Sequence, residues 1–230
     1  MAPTPATFDF GRLTFGTVPE TNKAGGRYVQ VAYAGAQVEY QLGSAQQPLR
    51  CPFGAELAAR DDPNSPLVMK VELSPEAHAF VGKVEAATVD AANANSQAWF
   101  GRPTPSSVHN SCVKPQNGDR PDCLKLKISD GGKSGPATQV WTRTMTANGK
   151  LSTHSVPGTV EDIVKGSFVV VKVRIQGGCY FINRTYGASM VASSVLVIKH
   201  EGAAGGDDFD LGDVQFVDAD DVDSYGTMGD

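Results

Sequence analysis

Residues 168–199 read FVVVKVRIQGGCYFINRTYGASMVASSVLVIK. In residues 168–176, Val169, Val171, Val173 and Ile175 alternate with Lys172 and Arg174. That two-residue period belongs to a strand with one buried face. Gly177-Gly178 reads as a break. Cys179 to Ile182 and Ser189 to Lys199 read as two more strands around a turn at Tyr186-Gly187. The run is rich in β-branched residues and carries no helical period, so it sets the fold class as mainly β.

Working outward, residues 124–128 (LKLKI), 139–143 (QVWTR) and 67–73 (LVMKVEL) alternate in the same way. Residues 28–40 (YVQVAYAGAQVEY) predict a hairpin with its turn at Ala34-Gly35-Ala36. Residues 43–66 hold Pro48, Pro52, Pro63 and Pro66 and read as turns. Residues 159–165 predict a short helical turn before Gly166. The long helix falls in residues 77–100. Ser74 is its N-cap, Pro75 and Glu76 open it, and Gly101 with Pro103 ends it. Its apolar stripe is read as Phe80, Val84, Ala87, Ala91 and Ala94 or Asn95.

Five or more short strands with one inserted long helix must protect their edges. A closed or nearly closed small barrel does so economically, and the five-stranded OB-fold is the expected form. The expected organisation is a flexible segment 1–11, one domain over 12–200, and a tail over 201–230 joined through GAAGG at 202–206.

Charge divides the chain unevenly. Residues 201–230 hold ten of the 25 acidic side chains and none of the 20 Lys and Arg. The net charge of −5 therefore conceals a body with an excess of cations and a strongly acidic tail. The tail acids include Asp207, Asp208, Asp210, Asp213, Asp218, Asp220, Asp221 and Asp223. Such a tail is expected to be disordered. A basic body tied to its own polyanion fits a body that binds another polyanion, such as nucleic acid.

The strand pattern says where that polyanion would lie. With the leucines and Ile128 inward, Lys125 and Lys127 face outward. Lys172 and Arg174 share the outer face of their strand, and Trp141 and Arg143 share one face of theirs. Tyr180, Arg184 and Tyr186 lie close behind. Cations neutralise phosphates and aromatic rings stack on bases, which is what single-stranded nucleic acid binding requires.

Other chemistry finds little footing. Asp130-Gly-Gly-Lys-Ser134 resembles the end of a phosphate-binding loop, but the motif needs glycine at 127 and Lys127 stands there. His109, Cys112 and Cys123 could supply three zinc ligands, yet only one short Cys/His spacing exists where such sites use two. No metal or cofactor is expected. The histidines sit in no nucleophile context, and Asp61-Asp62 and Glu161-Asp162 mark a turn and a helix start. An enzyme is not expected. No signal segment or membrane-spanning run is seen, so the expected setting is intracellular, with Cys51, Cys112, Cys123 and Cys179 reduced.

Five blocks share an order with a known family. They are Leu13-Thr-Phe-Gly16, Asn22-Lys23-Ala-Gly-Gly26, Pro52-Phe53-Gly54, the helix end Asn95-Ser-Gln-Ala-Trp-Phe-Gly101, and Gly177 to Gly187 followed by a strand to Lys199. With the acidic tail they resemble the single-stranded DNA-binding proteins of large nucleocytoplasmic DNA viruses, including algal viruses. That family is related to the acidic-tailed single-stranded DNA-binding proteins of short-tailed phages. The resemblance covers most of residues 12–230.

The resemblance implies an OB-fold that coats single-stranded DNA without strong sequence preference, in replication, recombination and repair. It implies a tail that occupies the DNA cleft when DNA is absent. It also implies tail contacts with a viral polymerase, helicase or primase, a possible homodimer, and work at a viral replication site. One departure is visible. The phage tails end in an aromatic residue, whereas this chain ends Thr227-Met-Gly-Asp230, with Phe209, Phe216 and Tyr225 further in. The rival reading is a β-rich histone chaperone or assembly factor whose tail binds basic partners. It has no need of aligned cations on the body.

Overall fold

The computed structural model describes residues 2–21, 25–59, 61–103, 107–131, 136–146, 148–182 and 184–200. A 3-10 turn at Phe10–Arg12 leads into β1 (Leu13–Phe15), β2 (Glu20–Thr21), β3 (Arg27–Val29), β4 (Val31–Tyr33), β5 (Ala36–Gln37) and β6 (Glu39–Leu42). The expected hairpin over 28–40 is there in part. Its turn is made by Ala34 (φ 52°) and Gly35 (φ 79°), between β4 and β5. The rest of that run is shared out. β1, β4 and β5 form a small sheet, while β3 and β6 join a large one.

Residues 43–66, read as turns, also contain β7 (Leu49–Cys51) and β8 (Ala55–Leu57). Strands of three residues are too short to show an alternation. They form because longer strands offer them an edge. β9 (Leu67–Glu72) pairs with β8 as Leu57↔Leu67 through Ala55↔Met69.

The helix begins as its residues predict. Ser74 accepts from Ala77 N at 3.2 Å, and α1 runs Pro75–Ala94. It then breaks at Asn95 (φ −105°, ψ 17°) before α2 (Ser96–Phe100), and Gly101 closes it in the left-handed region at φ 70°. The buried stripe is Ala77, Phe80, Val81, Val84, Thr88 and Ala92. The reading through Ala87 and Ala91 is one residue out, since Thr88 and Ala92 take the buried positions. Thr88 is buried because its hydroxyl donates to Val84 O at 3.0 Å.

The remaining elements are β10 (Val108–His109), β11 (Val113–Lys114), β12 (Cys123–Ile128), β13 (Gln139–Met145), β14 (Val156–Pro157), a 3-10 turn at Val160–Asp162, β15 (Ser167–Ile182) and β16 (Thr185–His200). β15 and β16 are one antiparallel hairpin at the centre of the large sheet. The free edge of β15 takes β3, β6 and β7 in turn. The free edge of β16 takes β10, β12 and β13, all parallel to it.

Two readings of this hairpin are corrected. Gly177-Gly178 does not break the strand. The register shifts there, so Ile175 faces Met190 while Cys179 faces Ala188, which leaves three residues opposite one in a bulge. The turn is not at Tyr186-Gly187. Ile182 pairs with Thr185, which places the turn between those two, with Arg184 at φ 62°.

The fold is mainly β with one long helix, but no closed barrel forms among the described residues. The large sheet runs β2-β3-β15-β16-β12-β9-β8. β7 comes beside β9, and Arg50 Nη1 meets Glu72 Oε1 at 3.4 Å. Both edges of β9 are already taken, by β12 and β8, so no ladder is left to join β7.

Inside the curve, Phe80 of α1 packs against Phe8 and Tyr40, with ring centroids 5.2 and 5.0 Å away. Trp99 is fully buried, and its indole N–H donates to Gly16 O at 3.0 Å. This core, capped by α1, leaves the opposite face of β15 and β16 for other work.

Candidate nucleic-acid interface

Register defines that opposite face. Val169, Val171, Val173 and Ile175 of β15 point into the core, as the alternation predicts. On the other side, cross-strand partners build rows over three adjacent strands. One row is Arg174, Val191 and Lys127. The next is Lys172, Ser194 and Gln139. The third is Val170, Leu196 and Trp141, and the fourth is Phe168, Ile198 and Arg143. Cations thus occupy two neighbouring rows, and an indole lies in the third.

Between the first two rows lies a recess of about 220 Å³. Lys172, Arg174, Gln139, Glu39, Ser193 and Ser194 line it. A second irregularity shapes it. Lys172 faces Ser194 and Val173 faces Ala192, so Ser193 is an extra residue on β16. Its hydroxyl donates to Glu39 Oε1 at 2.5 Å, with Lys172 O 3.2 Å away as a second acceptor within reach of the same hydrogen.

Arg174 does not stand on an open surface as the alternation suggested. It is 8% exposed. Its Nη2 donates to Pro136 O at 3.5 Å, and its buried Nε has no hydrogen-bond partner among the described residues. The 136–137 segment and Glu39 of the neighbouring strand line the recess beside it, which a strand pattern alone cannot show.

The other candidates divide. Lys127 is exposed and donates to Ser189 Oγ at 3.0 Å. Lys125 is half-buried and lies opposite Lys70, which pairs with Glu56 at 3.1 Å and stands 4.8 Å over the Phe53 ring. Trp141 is 36% exposed, whereas Trp99 is wholly enclosed. Arg143 shares the face of Trp141 but is latched, its Nε donating to Ser152 O at 2.7 Å.

Tyr180 lies beyond the bulge, beside Tyr28 of β3. Its hydroxyl accepts from Asn110 Nδ2 at 2.7 Å, and burial pushes its pKa upward despite that contact. A Cβ at position 187 would come 3.5 Å from the Tyr180 hydroxyl and 2.7 Å from Asn110 O, so glycine permits this close approach. Arg184 is exposed at the hairpin end.

Tyr186 is the clearest misplacement. It is 3% exposed and packs against Phe100 and His109, with centroids 5.5 and 5.4 Å away. The turn lies earlier than expected, so Tyr186 shares the core-facing parity of Ala188 and Met190. The tail acids Asp207, Asp208, Asp210, Asp213, Asp218, Asp220, Asp221 and Asp223 lie outside the described residues, as do Asn22, Lys23 and Lys133.

Sequence reasoning missed Glu39, Gln139, Ser193 and Ser194. A signal existed for the last two, a polar pair interrupting the apolar run from Met190 to Ile198. The suspected metal residues are not gathered. Cys112 Sγ donates to Ala188 O at 3.3 Å, and burial raises the Cys112 and Cys123 thiols to about 11. Among the described residues no three His, Cys, Asp or Glu side chains cluster, and no helix is long and apolar enough to cross a membrane.

No family model matches the sequence, and no curated protein matches it. Solved structures do resemble it. One is gp2.5, a single-stranded DNA-binding protein encoded by bacteriophage T7, at 22% identity and a TM-score of 0.43, covering 85% of this chain and 100% of that one. Another is the single-stranded DNA-binding protein from bacteriophage Enc34 in complex with single-stranded DNA, at 12% identity and a TM-score of 0.43, covering 82% and 98%. A further structure of the single-stranded DNA-binding protein from bacteriophage Enc34 gives 13% identity and a TM-score of 0.38, covering 87% and 98%. At these values no residue here takes a role by correspondence.

Proposed function

We propose that this chain is a non-catalytic, sequence-nonspecific single-stranded DNA-binding protein. The observation that supports it most is the alignment of Arg174, Lys127 and Lys172 in adjacent rows, with the half-open ring of Trp141 in the row beyond. Backbone phosphates meet the cations, and one base stacks on the indole. Lys125, Arg143, Tyr180 and Arg184 extend the contact. Tyr186 supports it from within the core. On this reading the sheet is an open variant of the OB-fold, and the chain belongs with the viral family named above. It serves DNA replication, recombination and repair at a viral replication site.

The tail is the regulatory part of the proposal. Residues 201–230 present ten carboxylates and no cation, an internal rival for the basic face. Contacts with a polymerase, helicase or primase, and a homodimer, are further parts of the same reading.

Fluorescence anisotropy with oligo-dT, on the full chain and on residues 1–202 at two salt concentrations, tests it. Removal of the tail should raise affinity most at low salt, because screening weakens the competition. Equal affinities at low salt would remove the tail from the mechanism. Absence of oligo-dT binding by both forms, with histone binding by the tail, would instead favour the chaperone reading.

A further inference from the structure

We infer that the recess between β6, β15, β16 and β13 is a pocket for a single phosphate group of the nucleic-acid backbone, with Arg174 as its floor. The inference rests on the nucleic-acid reading and adds a defined subsite to it. A guanidinium has five N–H donors in a planar fork suited to phosphate oxygens. Arg174 uses one, at 3.5 Å to Pro136 O. Among the described residues its Nε is buried without a partner. A charge held this way is costly unless an anion completes it.

The anion is not Glu39. Glu39 lies opposite Arg174 across the strand pair, yet its Oε1 accepts from Ser193 at 2.5 Å, and no ion pair joins it to Arg174 among the described residues. The guanidinium is left to an external group. Lys172 at the rim adds a second cation, and Ser194 and Gln139 add hydrogen-bonding groups. Glu39 holds the recess to a single net positive charge, which suits one phosphate bound reversibly. The row that carries Trp141 lies two residues further along the strands, or about 7 Å. A phosphate in the recess and a neighbouring base on the indole are therefore compatible.

The test is oligo-dT anisotropy on the full chain, with folding followed by circular dichroism. Glu39→Gln keeps an acceptor for Ser193 and removes the opposing charge, so affinity should rise about three- to tenfold. Ser194→Leu fills the recess without changing charge, so affinity should fall about tenfold. A diffuse electrostatic surface would ignore it. Lys172→Gln should lower the slope of log affinity against log salt by about 0.7, the increment for one phosphate on a single strand. If Ser194→Leu fails to fold, Glu39→Gln and Lys172→Gln decide.

A wild-type chain that binds, with Glu39→Gln within twofold of it and the Lys172→Gln slope unchanged, overturns the pocket and leaves the nucleic-acid reading standing. A wild-type chain that does not bind overturns both.

Discussion

The two ends of the β15–β16 hairpin obey one alternation and use it differently. At the base, where residues 168–175 face 190–198, the outer face holds Lys172, Arg174 and the recess. At the tip, where Cys179 to Ile182 face Thr185 to Ala188, that face holds Tyr180 over Gly187. The core face of the tip gathers Phe181 against Trp99 and Phe100, at 5.6 and 5.4 Å. Between the two ends sits the Gly177-Gly178 bulge. Two extra residues preserve the parity of the strand, so Tyr180 stays on the face of Lys172 while the local twist changes. The glycine pair re-aims the strand instead of ending it.

The largest effect should come from breaking the bulge. Gly178 has φ 82°, and a Cβ there would lie 1.9 Å from Val29 O. Gly178→Ala must displace β3 and should cost about 3 kcal/mol or more. Gly177 has φ 64° and open space around its Cβ position. Gly177→Ala carries only backbone strain, about 1–2 kcal/mol. Urea denaturation of both variants measures the difference. Equal losses would show that β3 does not lock the bulge.

Binding should separate the ends next. Trp141→Ala should weaken oligo-dT binding by about 1–3 kcal/mol, the range for one stacked base, with little change in melting temperature. Tyr180→Ala should weaken it less, because that hydroxyl is already engaged by Asn110. A larger loss from Tyr180→Ala would move the centre of the interface past the bulge.

The smallest effect should be a pH dependence at the tip. Burial lowers the pKa of His109 from 6.5, outweighing Glu85, which raises it. The unfolded chain therefore takes up the proton first. The stability that His109 contributes is present above about pH 6.5 and is lost as pH falls through its lowered folded value. Melting temperature should decline between pH 7.5 and 5.5, and His109→Gln should flatten the decline. A wild-type profile already flat over that range would contradict it.

Legibility followed the range of the forces involved. Lys125, Lys127, Lys172 and Trp141 were readable because alternation is local and assigns a face by counting. Arg174 was placed on the correct side, but its burial depends on residues 136–137 and Glu39, which lie far off in the chain. Tyr186 failed for a sharper reason. The sequence reading sets the hairpin turn three residues late, and a correct strand with a misplaced turn gives wrong partners to the residues beside it. The helix start was legible from Ser74 and Pro75. The kink at Asn95 was not, because the periodic stripe runs through it.

By itself the sequence determined the β-rich class, the start of the long helix, the face of most strand residues and the separation of a cationic body from an anionic tail. Each follows from local geometry or from composition. Tertiary structure alone decided that the sheet stays open at β7 and β9, that the glycines form a bulge, and that Arg174 sits in a recess with its Nε unpartnered among the described residues. Those outcomes depend on which distant edges and side chains meet, and on which hydrogen-bonding groups are already taken when they do.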